Sequence, residues 1–212
     1  MIHRFLFFLI CLMISASSVH ARMVSYAGGK TFMTFNDRSS YSTFVHYSPS
    51  SIFSIGYLNE YDREKDFWLQ AAQVTGLKRW NWEDSQANLY LFGGMGGAFE
   101  GDGRGRASRP AALGGASIDW EDRRFYTSMA ARGEYAKGFT SGSTQKARLG
   151  VAPYVAEYGA IHTWLMVQFD RRPRSDEQYS VTPLIRFFKG SSLLEVGSDL
   201  EGNVMFNFVQ VF

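Results

Sequence analysis

Beyond residue 21 the chain consists of short runs in which apolar and polar residues alternate, and this pattern restricts the possible folds strongly. Alternation suits a β-strand, because successive side chains point to opposite faces. No stretch after residue 21 stays apolar over the roughly 18 residues that a membrane helix needs. We interpret the following runs as twelve strands of an all-β fold: 30–36, 41–48, 51–58, 66–78, 86–97, 114–121, 123–135, 145–156, 159–169, 178–188, 191–200 and 203–212.

The first 21 residues have the layout of a cleavable signal peptide. Arg4 supplies a positive start, residues 5–14 are apolar, and Val19 and Ala21 are the small residues before a cleavage site. As a helix, that apolar run would span about 15 Å, half of a bilayer core. The sequence therefore predicts export, cleavage after Ala21, and a mature domain over 22–212.

The single cysteine, Cys11, lies within this predicted signal peptide. The mature domain therefore offers no thiol for a disulfide, for catalysis or for zinc.

The composition favours a barrel in a membrane. Aromatic residues make up 16% of the chain, yet its mean hydropathy is only −0.18. A transmembrane barrel combines these properties, because lipid-facing positions alternate with polar interior positions. The 22 Lys and Arg residues nearly balance the 20 Asp and Glu residues, which argues against nucleic-acid binding. We expect a closed antiparallel up-and-down transmembrane β-barrel of about twelve strands.

The connections between the runs favour the same architecture. If both termini lie on the periplasmic side, the outer connections are mostly long, polar or glycine-rich and the inner ones mostly tight, as in bacterial outer-membrane barrels. The predicted outer connections are 36–40, 59–66, 98–113, 136–144, 170–178 and 201–202, and the predicted inner turns are 49–50, 79–85, 122, 157–158 and 189–190. The lengths of 79–85 and 201–202 depart from this pattern.

The last run resembles the final strand of bacterial outer-membrane barrels, which ends in an aromatic residue with apolar residues at alternate positions before it. Val204, Phe206, Phe208 and Phe212 share one face here, and Gln210 departs from the pattern. The resemblance implies an assembly signal at Phe206, Phe208 and Phe212 for the barrel-assembly machinery. It also implies contact with phospholipid and lipopolysaccharide in the outer membrane.

The alternation assigns a face to each side chain. We assume that Phe212 faces lipid and follow the alternation back along the chain. The side chains that then point outward include Ile185, Phe187, Leu165, Val167 and Met129. Aromatic residues near predicted strand ends are expected at headgroup level, namely Trp80, Trp82, Trp164, Tyr57 and Tyr158. The predicted lumen-lining residues are Asp119, Glu121, Arg132, Glu134, Arg148, His162, Arg186 and Glu195, with Lys146 and Gln168 on the same face.

Charges of both signs on neighbouring predicted strands suggest pairing across strands inside the barrel. Such a lining fits a narrow channel, or a salt-bridged interior of a structural membrane component. Balanced charges neutralise each other rather than present one sign to an ion, so we favour a filled or very narrow interior.

A membrane-embedded lipid hydrolase is the alternative function. Outer-membrane phospholipase and lipid A deacylase use a His-x-Ser pair followed by a polar or acidic residue, and His46, Ser48 and Glu60 are similar in spacing. The resemblance implies Ser48 as nucleophile, His46 as base and Glu60 as orienting group. If 49–50 is a turn, however, His46 pairs with about residue 53 and Glu60 lies roughly 23 Å farther along. We therefore predict no enzymatic activity.

A third alternative is a soluble periplasmic barrel that binds a small apolar ligand. No cofactor is indicated by the sequence. The glycines of 93–97 lack the Lys-Ser/Thr of a phosphate-binding loop, and His46 and His162 have no second histidine at a metal-ligand spacing.

Overall fold

The alternating runs form the strands of the protein, as a computed structural model shows. The structure describes residues 22–101, 108–157, 159–173, 175 and 178–212. Within these residues it contains twelve strands, each within a few residues of a predicted run. They are β1 (Lys30–Asn36), β2 (Ser40–Ser50), β3 (Phe53–Asp62), β4 (Phe67–Asn81), β5 (Gln86–Glu100), β6 (Arg109–Glu121), β7 (Phe125–Ala136), β8 (Thr140–Val151), β9 (His162–Arg171), β10 (Tyr179–Lys189), β11 (Ser192–Ser198) and β12 (Val204–Val211).

The twelve strands close into one antiparallel barrel. Each strand pairs with its neighbours in the chain, and β1 pairs with β12, with Met33 opposite Val209. Beyond that ladder, the amide of Lys30 donates to the carbonyl oxygen of Phe212 at 3.2 Å, and the amide of Phe212 donates to the carbonyl oxygen of Lys30 at 2.8 Å. The predicted closed up-and-down barrel is confirmed. Over the same residues, the structure contains no helix of a length and hydropathy that would cross a bilayer.

The barrel has two distinct ends. The terminal end carries both chain termini and the connections 51–52, 82–85, 122–124, 152–161 and 190–191. The loop end carries the connections 37–39, 63–66, 101–108, 137–139, 172–178 and 199–203. The connection predicted over 98–113 is shorter than expected, because β5 continues to Glu100 and β6 already begins at Arg109. Residues 102–107 of this connection lie outside the described part of the chain.

The connections on either side of β8 differ from the prediction. We expected a long connection over 136–144 and a tight turn at 157–158, whereas the structure has a tight turn over 137–139 and a long connection over 152–161. Gly138 takes a positive φ of 81° in the tight turn, a conformation that glycine adopts without strain. Pro153 follows the end of β8 and has no amide hydrogen to continue a ladder. The predicted position of Tyr158 lies outside the described residues.

The strands separate an apolar outer surface from an inner one. Along β12, Met205, Asn207, Val209 and Val211 are buried and face inward, whereas Val204 and Phe206 are exposed. Phe208 shares the outward face and Phe212 is exposed just beyond the strand, so the three predicted assembly-signal residues lie on one side. Other exposed outward side chains are Val45, Ile55, Tyr57, Val74, Leu91, Met95, Ile118, Met129, Leu149, Leu165, Phe169, Ile185, Phe187 and Val196.

Part of the interior is filled by apolar side chains. Met33, Phe44, Leu58, Leu69, Leu113 and Val209, from β1 to β4, β6 and β12, belong to one buried cluster. Trp164, Met166, Leu184 and Met205 form a second cluster from β9, β10 and β12. These side chains leave a lumen much narrower than the backbone cylinder.

Inward glycines allow the close approach of neighbouring strands. A Cβ atom at Gly96 of β5 would collide with the carbonyl oxygen of Gln70 in β4. We expect Gly96→Ala to lower the free energy of unfolding by about 1–3 kcal/mol, the usual effect of overpacking. At the outward-facing Gly133 of β7 the nearest atom to an added Cβ, the carbonyl oxygen of Gly114, is 3.9 Å away, so Gly133→Ala is the control without a collision. Denaturant unfolding in lipid vesicles measures both, and equal stability of the two variants would contradict this expectation.

Candidate functional site

The inner surface of the barrel carries the charged side chains that alternation predicts there. Arg132 and Glu134 of β7 alternate with exposed outward residues, as do Asp119 of β6 and Arg186 of β10. The remaining predicted lumen residues also have inward positions: Glu121, Arg148, His162 and Glu195. The structure thus places all of these residues on the lumen side of their strands.

A buried ion cluster joins β8, β10 and β11. Glu195 is only 2% exposed and accepts hydrogen bonds from Arg148 at 3.1 Å and from Arg186 at 2.7 Å. Asn207 of β12 donates its side-chain amide to the same carboxylate at 2.7 Å, and Arg148 also donates to Gln168 of β9 at 2.7 Å. Because the carboxylate is desolvated, its two arginine partners and the Asn207 amide replace the water that it has lost.

A second ion pair crosses the lumen. Arg132 of β7 donates to Glu60 of β3 at 2.6 Å and to Glu134, on its own strand, at 3.0 Å. Since β3 and β7 are separated by three strands on one side of the barrel, this contact spans the interior rather than the sheet. We call this pair the Arg132–Glu60 strut, because it links two non-adjacent strands across the interior.

A polar network lies at the terminal end. Asn88 of β5 accepts hydrogen bonds from Arg22 and Arg79, both at 2.9 Å, and donates to Asp119 of β6 at 2.7 Å. Arg22 also pairs with Glu121 and donates to Gln86. Arg22 precedes the first strand and reaches this network from inside the barrel.

The loop end carries a small polar vestibule, whose cavity volume is about 30 Å³. Lys146 of β8 lies 3.8 Å from Asp37, in the β1–β2 connection, and 3.5 Å from Asp170 of β9. Burial opposes ionisation of Asp37, but the positive charges of Lys146 and Arg172 and the hydroxyl of Ser39 outweigh it and hold the pKa of Asp37 below its usual range. The vestibule is lined by Asp37, Arg38, Ser39, Glu64, Gln168, Asp170, Arg172, Gln178, Ser180, Thr182, Asp199, Asn203 and Met205.

Aromatic residues near strand ends divide between the two faces. Trp80 and Trp82 are exposed at the end of β4, as expected for a headgroup position, whereas Tyr57 is exposed in the middle of β3 and not at a strand end. Trp164 was expected there and instead lies buried in the lumen, because it has the inward parity of β9. His162 shares that parity, and its ring lies edge-on to Phe188 with centroids 6.2 Å apart.

The structure does not assemble His46, Ser48 and Glu60 into a catalytic triad. His46 pairs with Gly56 rather than with residue 53, and Glu60 pairs with Ser42, so Glu60 lies four positions, or roughly 13 Å, from the level of His46. Ser48 accepts a hydrogen bond from the amide of Ser25, and Glu60 is bound to Arg132. His46 and Ser48 are buried inside the barrel, away from the lipid-facing surface that such hydrolases use. Across the described chain, no group of three or more His, Cys, Asp or Glu residues is arranged to hold a metal ion.

Two ion pairs join directly opposite residues of neighbouring strands, Arg186 with Glu195 and Lys146 with Asp170, whereas the pairs of Arg132 and Arg148 do not follow strand order. We expected Arg132 to pair with the acidic residues of β6, but the register places Arg132 opposite Gly115 and Asp119 opposite Ser128. The partners of Arg132 and Arg148 come instead from β3 and β11. The alternation along β4 and β5 would have placed Arg79 and Asn88 in the lumen. Arg22 lies outside the strands, so the alternation gives no indication of its contacts.

A closed twelve-stranded barrel with an apolar exterior and a charged lumen has the architecture of the outer-membrane porins. Among solved structures, the chain is similar to the KdgM porin in complex with disordered oligogalacturonate, with a TM-score of 0.51, 6% identity, and coverage of 87% of this chain and 98% of that one. It is also similar to OccK8 (OprE) of Pseudomonas aeruginosa, with a TM-score of 0.45, 7% identity, and coverage of 82% and 57%.

The likeness to these porins concerns the fold alone, since the sequences are so different. No protein-family model matches the chain. No curated protein matches it either.

Proposed function

We propose that this protein is a narrow, porin-like channel of the bacterial outer membrane for small hydrophilic solutes. The observation that carries the proposal is the run of polar side chains inside an apolar exterior. It leads from the vestibule at Asp37 and Asp170, through Arg148 and Glu195, to the network around Asn88. Charged side chains on a barrel wall cost free energy where they contact lipid, whereas facing a water-filled lumen they can be solvated.

The charges along this path favour weak selection between ions. Basic side chains in these networks lie beside acidic ones: Arg148 and Arg186 contact Glu195, and Arg132 contacts Glu60 and Glu134. A paired lining presents little net field to a passing ion. Size and hydrogen bonding therefore decide which solutes pass.

The Arg132–Glu60 strut is expected to limit the conductance. Replacing both partners in Arg132→Ser/Glu60→Ser removes the crossing contact and leaves the net charge of the chain unchanged. In planar bilayers we expect small conductance steps from the wild type and larger ones from this double variant. The exposed pair between Arg123 and Asp84, changed in the same way, is the matched control and should leave the steps unchanged.

The channel proposal fails if neither the wild type nor the strut variant conducts while both migrate as folded, heat-modifiable barrels. A barrel that is only a structural membrane component would give that result.

The location and partners follow from the same proposal. Residues 1–21 would direct export and be removed after Ala21. The outward aromatic face that includes Phe206, Phe208 and Phe212 would be read by the barrel-assembly machinery, and the finished barrel would lie among phospholipid and lipopolysaccharide. Detergent dependence after fractionation of outer membranes tests this location.

A further inference from the structure

The residues just before β1 do not continue the strand. Gly28 has a positive φ of 85°, which reverses the chain at the terminal end. The amide of Gly28 donates to the carbonyl oxygen of Ser48 at 2.8 Å, and that of Gly29 donates to Tyr26 at 3.0 Å. This turn sends residues 22–25 back toward the inside of the barrel, while Tyr26 and Ala27 remain exposed.

The returning segment is held by inward side chains of several strands. Ser48 of β2 accepts a hydrogen bond from the amide of Ser25 at 2.9 Å, and Ser54 of β3 donates to the carbonyl oxygen of Met23 at 2.7 Å. Val24 is buried in a cluster with Leu77 of β4 and Tyr90 of β5. The segment therefore crosses the lumen from the β2–β3 wall toward the β4–β5 wall.

Arg22 fastens the far end of the segment. Its side chain is 9% exposed, pairs with Glu121 of β6 and donates to Asn88 and Gln86 of β5. Hydrogen bonds between charged groups are about twice as strong as neutral ones, so this contact contributes more than the others.

The burial of polar residues around the segment also indicates that it occupies the lumen at this end. Ser48, Ser54, Thr75 and Asn88 face inward and have no measurable exposure. In a water-filled lumen these side chains would be solvated. The segment and its contacts occupy the space that water or a solute would take.

We propose that residues 22–25 are an internal plug that narrows the terminal end of the lumen, with Arg22–Glu121 as its latch. This inference rests on the proposed channel function. Release of the plug also changes the local charge, because Asp119 and Glu121 then face Arg79 without Arg22. The released channel should therefore prefer cations to anions.

Thiol labelling in liposomes tests the plug without requiring ion flow. In a Cys11→Ser background, Thr75→Cys places a sole reporter thiol at a fully buried lumen position whose register partner, Ser54, binds the plug. We expect Glu121→Gln, Arg22→Gln, and deletion of residues 22–25 each to raise the labelling rate of this thiol by roughly tenfold or more, given the strength of a lost charge-assisted hydrogen bond. Conductance and reversal potential are then measured on the same variants.

The matched control is Arg123→Gln. Arg123 lies at the same end, its nearest acidic group, Asp84, is 3.9 Å away, and both side chains are largely exposed. Its labelling and conductance should equal those of the parent protein.

The two proposals can fail separately. Unchanged labelling in all three plug variants, with folding shown by heat-modifiable mobility, would overturn the plug. Faster labelling with no conductance in any variant would keep the plug and overturn the channel. Faster labelling with larger conductance in all three variants, cation-selective in Arg22→Gln and in the deletion, is the expected result. If the deletion variant does not fold, Glu121→Gln decides, because it leaves the segment intact.

Discussion

Glu195→Ala is expected to destabilise the folded barrel by about 3–5 kcal/mol, the usual result of removing one partner of a buried ion pair. The substitution leaves Arg148 and Arg186 in the lumen without the carboxylate that binds both of them, and it also removes an acceptor from Asn207. Two desolvated guanidinium groups then lie close together. Equilibrium unfolding in denaturant, with the protein in lipid vesicles, measures the loss.

Glu201→Ala is the control for this experiment, since it removes the same side chain from an exposed pair. Glu201 binds Arg38 at 2.6 Å, but its side chain is 54% exposed. Exposed pairs contribute about 0–1 kcal/mol. If the two variants lost the same stability, the lumen at Glu195 would have to be as well solvated as the loop end.

Ile185→Arg is expected to cost about 2–4 kcal/mol if the outer face of the barrel contacts hydrocarbon. Ile185 lies near the middle of β10, points outward, and pairs with Leu165 and Val196 on the neighbouring strands. An arginine there would stand in the centre of the apolar band. Stability in lipid vesicles and the yield of folded, heat-modifiable protein measure the effect.

Leu200→Arg is the matched control, because Leu200 is an exposed apolar residue in the β11–β12 connection at the loop end. It should change the stability little. A soluble periplasmic barrel predicts that both substitutions are harmless and that the wild type needs no detergent, so this comparison separates the membrane barrel from that alternative.

The number of strands and the face of each side chain could be predicted because both depend on local sequence. Alternation with a period of two fixes which residues share a face, whatever the partner strand is. The same argument placed Arg132, Arg148, Arg186 and Glu195 inward. Strand ends were predicted less well, as the two connections around β8 show, since Gly138 and Pro153 influence the turns through backbone conformation rather than through hydropathy.

The partners of Arg132 and Arg148 could not be predicted in this way. Whether Arg132 meets Glu60 depends on the tilt and register of all the strands between them, which no short segment encodes. The same limit applies to His46, which pairs with Gly56 because the turn lies at 51–52 rather than 49–50 and the register shifts by one residue between Tyr47 and Ser50. The segment from Arg22 to Ser25 carries no periodicity, so its place inside the barrel follows only from the folded structure.

The ladder between β1 and β12 differs from every other ladder of the barrel in the length of chain that it joins. All the others connect consecutive strands, whereas this one brings Thr31 beside Val211. A hairpin between consecutive strands loses little loop-closure entropy and can form early. A contact between distant residues forms only after a larger loss of that entropy. Folding should therefore proceed through an incomplete sheet with two unpaired edges, and its last and slowest step should be the meeting of the first and last strands.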